Sequence, residues 1–100
     1  MAFVVINTVK AAKEELPRII AEVIALDLDV VRAQPGFRSA RLITAEDGTE
    51  TSLILEWESR DHFVAYRQSP VGHKRVEMAA GLHPHIAFYD VVMALDPPGR

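Results

Sequence analysis

No cysteine occurs in the 100 residues, so a disulfide framework, a redox thiol and a thiolate metal site are all excluded. That absence fits a reducing compartment, and a cytoplasmic location is expected. Aromatic residues make up only 7 % of the chain, and no basic stripe is interleaved with them, so nucleic acid is not expected as a partner. Charges of both signs are interspersed and leave a net charge of −3, without the blocks that mark interaction tails. No apolar run approaches the ~20 residues of a membrane span. The N-terminus also lacks a charged stretch followed by an apolar core, so neither a membrane segment nor a secretory leader is expected. Gly-rich phosphate loops, nucleophile elbows and paired catalytic carboxylates are likewise missing.

What is present is a chain of 49 % apolar residues with strong periodicity, enough for one domain over residues 2–95 and a tail over 96–100. Ala2–Val9 is rich in β-branched residues and reads as a strand. Phe3, Val5 and Asn7 point to one face of it, Val4, Ile6 and Thr8 to the other. A helix is predicted near 13–33, with Pro17 confined to its first turn. Its stripe is Leu16, Ile19, Ile20, Val23, Ile24, Asp27, Val30 and Val31, in which Asp27 is the one polar member. Gln34-Pro35-Gly36 stops the helix. Phe37–Thr44 and Thr51–Trp57 read as strands, and Asp47-Gly48 between them is a hairpin signal. Ser59 caps a short helix over 59–68 that carries Asp61 in its first turn. Ser69-Pro70 starts another helix, running to about residue 80. Residues 86–95 form the last strand.

The order β-α-β-β-α-β predicts an α+β, ferredoxin-like fold: a four-stranded antiparallel sheet with helices on one face. Strands one, three and four keep apolar residues on the other face, and an uncovered apolar face of that size marks an interface. A two-fold homodimer with facing sheets is the simplest closure, the last strand helping to clamp the partner.

Several polar residues are candidates for chemistry. His62, His73, His83 and His85 titrate near neutrality if unperturbed. His83 and His85, two apart on a strand, would point the same way. Only His73 or Glu77 could complete a metal set with them, and no ligand spacing supports one, so no metal or cofactor is expected. Asp27 and Asp90 are candidates for buried carboxylates acting as hydrogen-bond acceptors. Trp57, the single tryptophan, sits at a strand-to-helix junction where an indole can line a space between sheet and helix.

Gln34-Pro35-Gly36-Phe37, Leu55-Glu56-Trp57-Glu58-Ser59 and Phe63-Val64-Ala65-Tyr66 together resemble the antibiotic biosynthesis monooxygenase family, whose members are dimeric α/β barrels. The resemblance implies a small-molecule site and, for one branch, cofactor-independent oxidation of aromatic polyketides. Of the residues used by the haem-degrading branch, Asn7 matches the first-strand asparagine. Tyr66 and Val76 stand where that branch has tryptophan and histidine, so haem breakdown of that type is disfavoured. The polyketide branch is expected to have a tryptophan at position 57 and an asparagine four residues earlier; here these are Trp57 and Leu53. The resemblance implies Asn7 and Trp57 as catalytic residues, and the chemistry of proton exchange adds Tyr66 and His73. Asn7 and Trp57 would orient an oxyanion, and Tyr66 or His73 would carry the proton. Phe3, Val5, Leu55 and Phe63 would line the walls for a small quinol or aromatic substrate. The alternative is a non-catalytic module of the same fold that binds a small aromatic or haem-like ligand.

Overall fold

Two central strands with β-branched and apolar residues at alternate positions organise the chain: β1 (Phe3–Lys10) and β3 (Glu50–Trp57). The computed structural model describes residues 1–25 and 28–99. In it the remaining elements are α1 (Leu16–Ala25), α2 (Leu28–Arg32), β2 (Phe37–Thr44), α3 (Arg60–Gln68), α4 (Pro70–Ala79) and β4 (His85–Asp90). A single 3-10 turn, Ala80–Leu82, joins α4 to β4. The sheet order is β2-β3-β1-β4 with every described pair antiparallel. This is the ferredoxin-like α+β arrangement that the order of elements predicted.

Register places the site. Phe3 pairs with Trp57, Val5 with Leu55 and Asn7 with Leu53, so these six side chains share one sheet face. That face is the one the helices cover. Phe3, Val5, Leu53, Leu55 and Trp57 form one buried cluster with Ile19 and Val23 of α1, Val31 of α2, and Phe63 and Tyr66 of α3. Burying each of these large side chains contributes about 1.5–3 kcal/mol, which makes this layer the main source of cohesion.

Local expectations fail at four places, each for a physical reason. Leu16, Ile19 and Val23 are buried but Ile24 is exposed, because it lies about 105° around the helix from the centre of that stripe. Strand β2 carries a bulge between Phe37 and Ser39. The extra residue lets Phe37, opposite Trp57, share the helix-side face with Ala40 and Leu42, where simple alternation sets them apart. The last strand stops at Asp90 instead of reaching residue 95. Its final rung is the Val91 amide donating to the Ala2 carbonyl at 2.9 Å, after which β1 offers nothing further to pair with. Val92 and Leu95 beyond it are 88 % and 83 % exposed. Asp90 is exposed too, on an edge strand, and is not the buried acceptor expected of it. The carboxylate expected at Asp27 lies outside the described residues.

Candidate functional site

A cavity of about 280 Å³ lies between the helix-facing side of the sheet and the pair α3–α4. Its floor includes Val5, Asn7, Leu53, Leu55 and Ile86. Phe63, Tyr66 and Arg67 of α3 wall one side, and Gly72, Arg75, Val76 and Ala79 of α4 another. Small-molecule sites usually have this make-up, apolar walls with a few polar groups.

The two helices are held at this spacing by their junction. Ser59 caps α3, its hydroxyl accepting the His62 amide at 3.2 Å and meeting His62 Nδ1 at 2.7 Å. At the other end Ser69 serves both helices. Its hydroxyl donates to the Tyr66 carbonyl at 2.6 Å and accepts the Gly72 amide at 3.1 Å. Pro70 then opens α4 at a position where its missing N–H costs nothing. Gly72 lets the helices approach closely. A Cβ there would overlap the Tyr66 carbonyl oxygen and sit 3.0 Å from Arg67 Cα.

Three polar atoms of this region are buried with no hydrogen-bond partner among the described residues: Trp57 Nε1, Tyr66 Oη and Arg75 Nη1. Buried polar groups are normally paired, because each unpaired one costs ~1–3 kcal/mol. Tyr66 is 6 % exposed, and its ring stacks on Trp57 at 5.1 Å between centroids. Burial pushes its phenol above the ordinary value, against the opposing pull of the Arg75 and Arg67 charges. Tyr66 is therefore a neutral hydrogen-bond donor at neutral pH. Burial also pushes the Arg75 guanidinium down, with Tyr66 acting the other way. The arrangement can receive an oxygen-bearing ligand: donors from Tyr66 and Asn7, a positive group from Arg75, and walls that are mostly apolar.

Of the residues named from the sequence, Val5, Asn7, Leu55, Phe63 and Tyr66 come together around the cavity. Phe3 does not line it; its ring packs on Phe63 and Phe88 at 5.8 and 6.0 Å, beside the space. Trp57 is fully buried behind Tyr66, with Phe37 against it edge-on at 5.8 Å. It supports the tyrosine and does not face the cavity. His73 is exposed and outside the cavity, a correction to the expectation that it would face inward. The inward stripe of α4 is Gly72, Arg75, Val76 and Ala79, and His73 lies about 100° round from Gly72. His83 and His85 do not share a strand, since His83 adopts a left-handed conformation with φ of 50° before β4 begins. Among the described residues no three His, Asp or Glu side chains are grouped to hold a metal ion. No helix among them is long and apolar enough to cross a membrane.

Arg67 and Arg75 are the site residues that sequence reasoning missed. The available signal was Arg75 itself, a basic residue within the 72-75-76-79 stripe of an otherwise inward-facing helix side.

A family model for antibiotic biosynthesis monooxygenase matches residues 2–77. Among solved structures, the chain is similar to a monooxygenase from the gene ActVA-Orf6 of Streptomyces coelicolor in complex with the ligand nanaomycin D. The TM-score is 0.81 at 22 % identity, over 97 % of this chain and 93 % of that one. It is also similar to Rv0793 from Mycobacterium tuberculosis, with a TM-score of 0.73 at 22 % identity over 99 % of this chain and 100 % of that one. At such identities the likeness carries the fold alone. No curated protein matches the chain by sequence.

Proposed function

The chain belongs to the antibiotic biosynthesis monooxygenase family, and from that premise we propose that it is a cofactor-independent monooxygenase acting on a small quinol, phenol or aromatic polyketide-like substrate. The observation that carries the reading is the buried, unpartnered Tyr66 hydroxyl in a largely apolar cavity that Asn7 also lines. Such donors in a dry site stabilise an oxyanion where it forms.

In a phenol with a free para position, loss of the hydroxyl proton to water gives an anion whose oxygen accepts hydrogen bonds from the Asn7 amide and Tyr66. That anion passes one electron to dioxygen, and the ring radical and superoxide then join at the para carbon. Protonation of the outer oxygen and loss of the remaining para hydrogen as a proton break the O–O bond. A carbonyl remains and the second oxygen leaves as water. The substrate supplies all four electrons, so phenol plus dioxygen gives quinone plus water with no external reductant. Tyr66, neutral and stacked on Trp57, is the donor that holds the anion in this scheme. His73 is too exposed to share that role.

Oxygen consumption over a panel of quinols and naphthols tests the reading. Asn7→Ala is expected to lose ~10-fold or more, the scale of removing one oriented donor. A folded protein that binds these compounds but consumes no oxygen above background would decide for the binding module, which Leu53 in place of an asparagine favours.

The assembly we propose is a two-fold homodimer. Val4, Ile6, Ile54 and Ala87 lie on the helix-free sheet face, and Tyr89 on the same face is half exposed. Val92, Met93 and Leu95 extend from its edge with no partner among the described residues. An apolar surface of this extent supports pairing with a second copy. A dilution-independent monomer in light scattering would overturn it.

A further inference from the structure

We propose that the cavity is built for an aromatic ligand bearing a carboxylate, with Arg75 as the anchor for that carboxylate; this narrows the substrate class of the reading above and rests on it. The residues lining the cavity include two arginines and no aspartate, glutamate, lysine or histidine among those described. Arg75 is only partly exposed, and its Nη1 is buried without a partner. Arg75 takes part in none of the ion pairs among the described residues, which all involve Arg18, Arg32 or Arg38. A guanidinium drawn out of water with no counter-charge is costly, and such groups are ordinarily paired. Tyr66 is not that counter-charge, since burial keeps its phenol neutral. The missing anion must therefore come with the ligand.

The chemistry of the site selects which anion. Guanidinium presents a planar fork that matches a carboxylate in two parallel hydrogen bonds. Arg75 gives the fork for one such group, and apart from Asn7, Thr51, Tyr66 and Arg67 the lining is apolar. A phosphate carries a third oxygen and a further charge that the single planar fork of Arg75 does not match. The volume of about 280 Å³ is near the lower end of small-molecule sites, which fits a ligand of one or two rings. Arg67, half-buried at the same cavity, adds positive potential without being the buried anchor.

The test measures binding by calorimetry with 2-naphthoate, the neutral 2-naphthamide of the same shape, and 2-naphthyl phosphate, none of which needs to be oxidised. Naphthoate is expected to bind at least tenfold tighter than the amide, and tighter than the phosphate. Arg75→Met should abolish the preference for the acid, Arg75→Lys should keep part of it, and Arg67→Gln should reduce it less. Arg75→Met should fold, because it removes an unpaired buried charge, and its circular dichroism checks this. Equal affinity for acid and amide, a tighter phosphate, no binding of either naphthalene, or an unchanged preference in Arg75→Met would each overturn the proposal. Preference for the acid in a protein that never consumes oxygen would sustain the carboxylate site and remove the monooxygenase reading. Oxidation of neutral quinols with no acid preference would do the reverse.

Discussion

Substituting alanine for Gly72 sets two effects of opposite sign against each other. In a helix, glycine to alanine ordinarily stabilises by ~0.5–1 kcal/mol, and less in a first turn such as this one. Here the added methyl would overlap the Tyr66 carbonyl oxygen and press on Arg67, with its Cα and carbonyl oxygen both at 3.0 Å. Those are backbone atoms, so relief requires the end of α3 to move away from α4. Overpacking of this kind costs ~1–3 kcal/mol. The shift also pulls the Gly72 amide from the Ser69 hydroxyl, now 3.1 Å apart, and losing a cap costs ~1 kcal/mol. The steric terms win, for a net loss of about 1–3 kcal/mol. For a domain of this size each 1 kcal/mol lowers Tm by ~4–8 °C. Thermal unfolding followed by circular dichroism reads this directly. Because the same shift moves Tyr66 and Arg67, ligand affinity should fall with Tm. An unchanged or higher Tm for Gly72→Ala would refute the claim that this glycine sets the spacing of the two helices.

His73→Ala should leave oxygen consumption within about twofold of wild type, because substitutions away from the site are near neutral and His73 faces outward; a loss of tenfold would return it to the mechanism. Tyr66 has a phenol pKa raised in the folded state, so the stability linked to it is present below pH 10 and is lost as pH rises through 10 towards the folded value. The absorbance difference between wild type and Tyr66→Phe should accordingly show that phenol ionising above pH 10 while the fold persists, and ionisation below 10 would contradict the burial argument.

The parts of this fold legible in the sequence are those fixed by short-range chemistry. Asp47 accepts the Thr49 amide at 3.0 Å and Gly48 has φ of 75°, so the hairpin followed from the Asp-Gly pair alone. Gly36, with φ of 80°, ends the helical region where Pro35-Gly36 signalled it, and Ser59 and Ser69 cap as their type suggests. Alternation along β1 and β3 brought Val5, Asn7 and Leu55 to one face, since a two-residue period leaves little freedom. What escaped depends on distant neighbours. The bulge in β2 has no marker in Phe37-Arg38-Ser39, and the end of β4 is set by where β1 begins. Trp57 suggested a cavity wall, but stacking with Tyr66 and Phe37 places it a layer deeper. Arg75 drew no reading from the sequence, because the burial of its Nη1 depends on how α4 packs.

The most direct test of the monooxygenase account uses isotopically labelled dioxygen with a naphthol, free at the para position, that the protein oxidises. The account predicts one labelled oxygen atom in each product molecule, the other in water, one dioxygen consumed per turnover, and a loss of tenfold or more in rate for Tyr66→Phe. Product oxygen drawn from solvent, hydrogen peroxide formed in step with product, or an unimpaired Tyr66→Phe would contradict it.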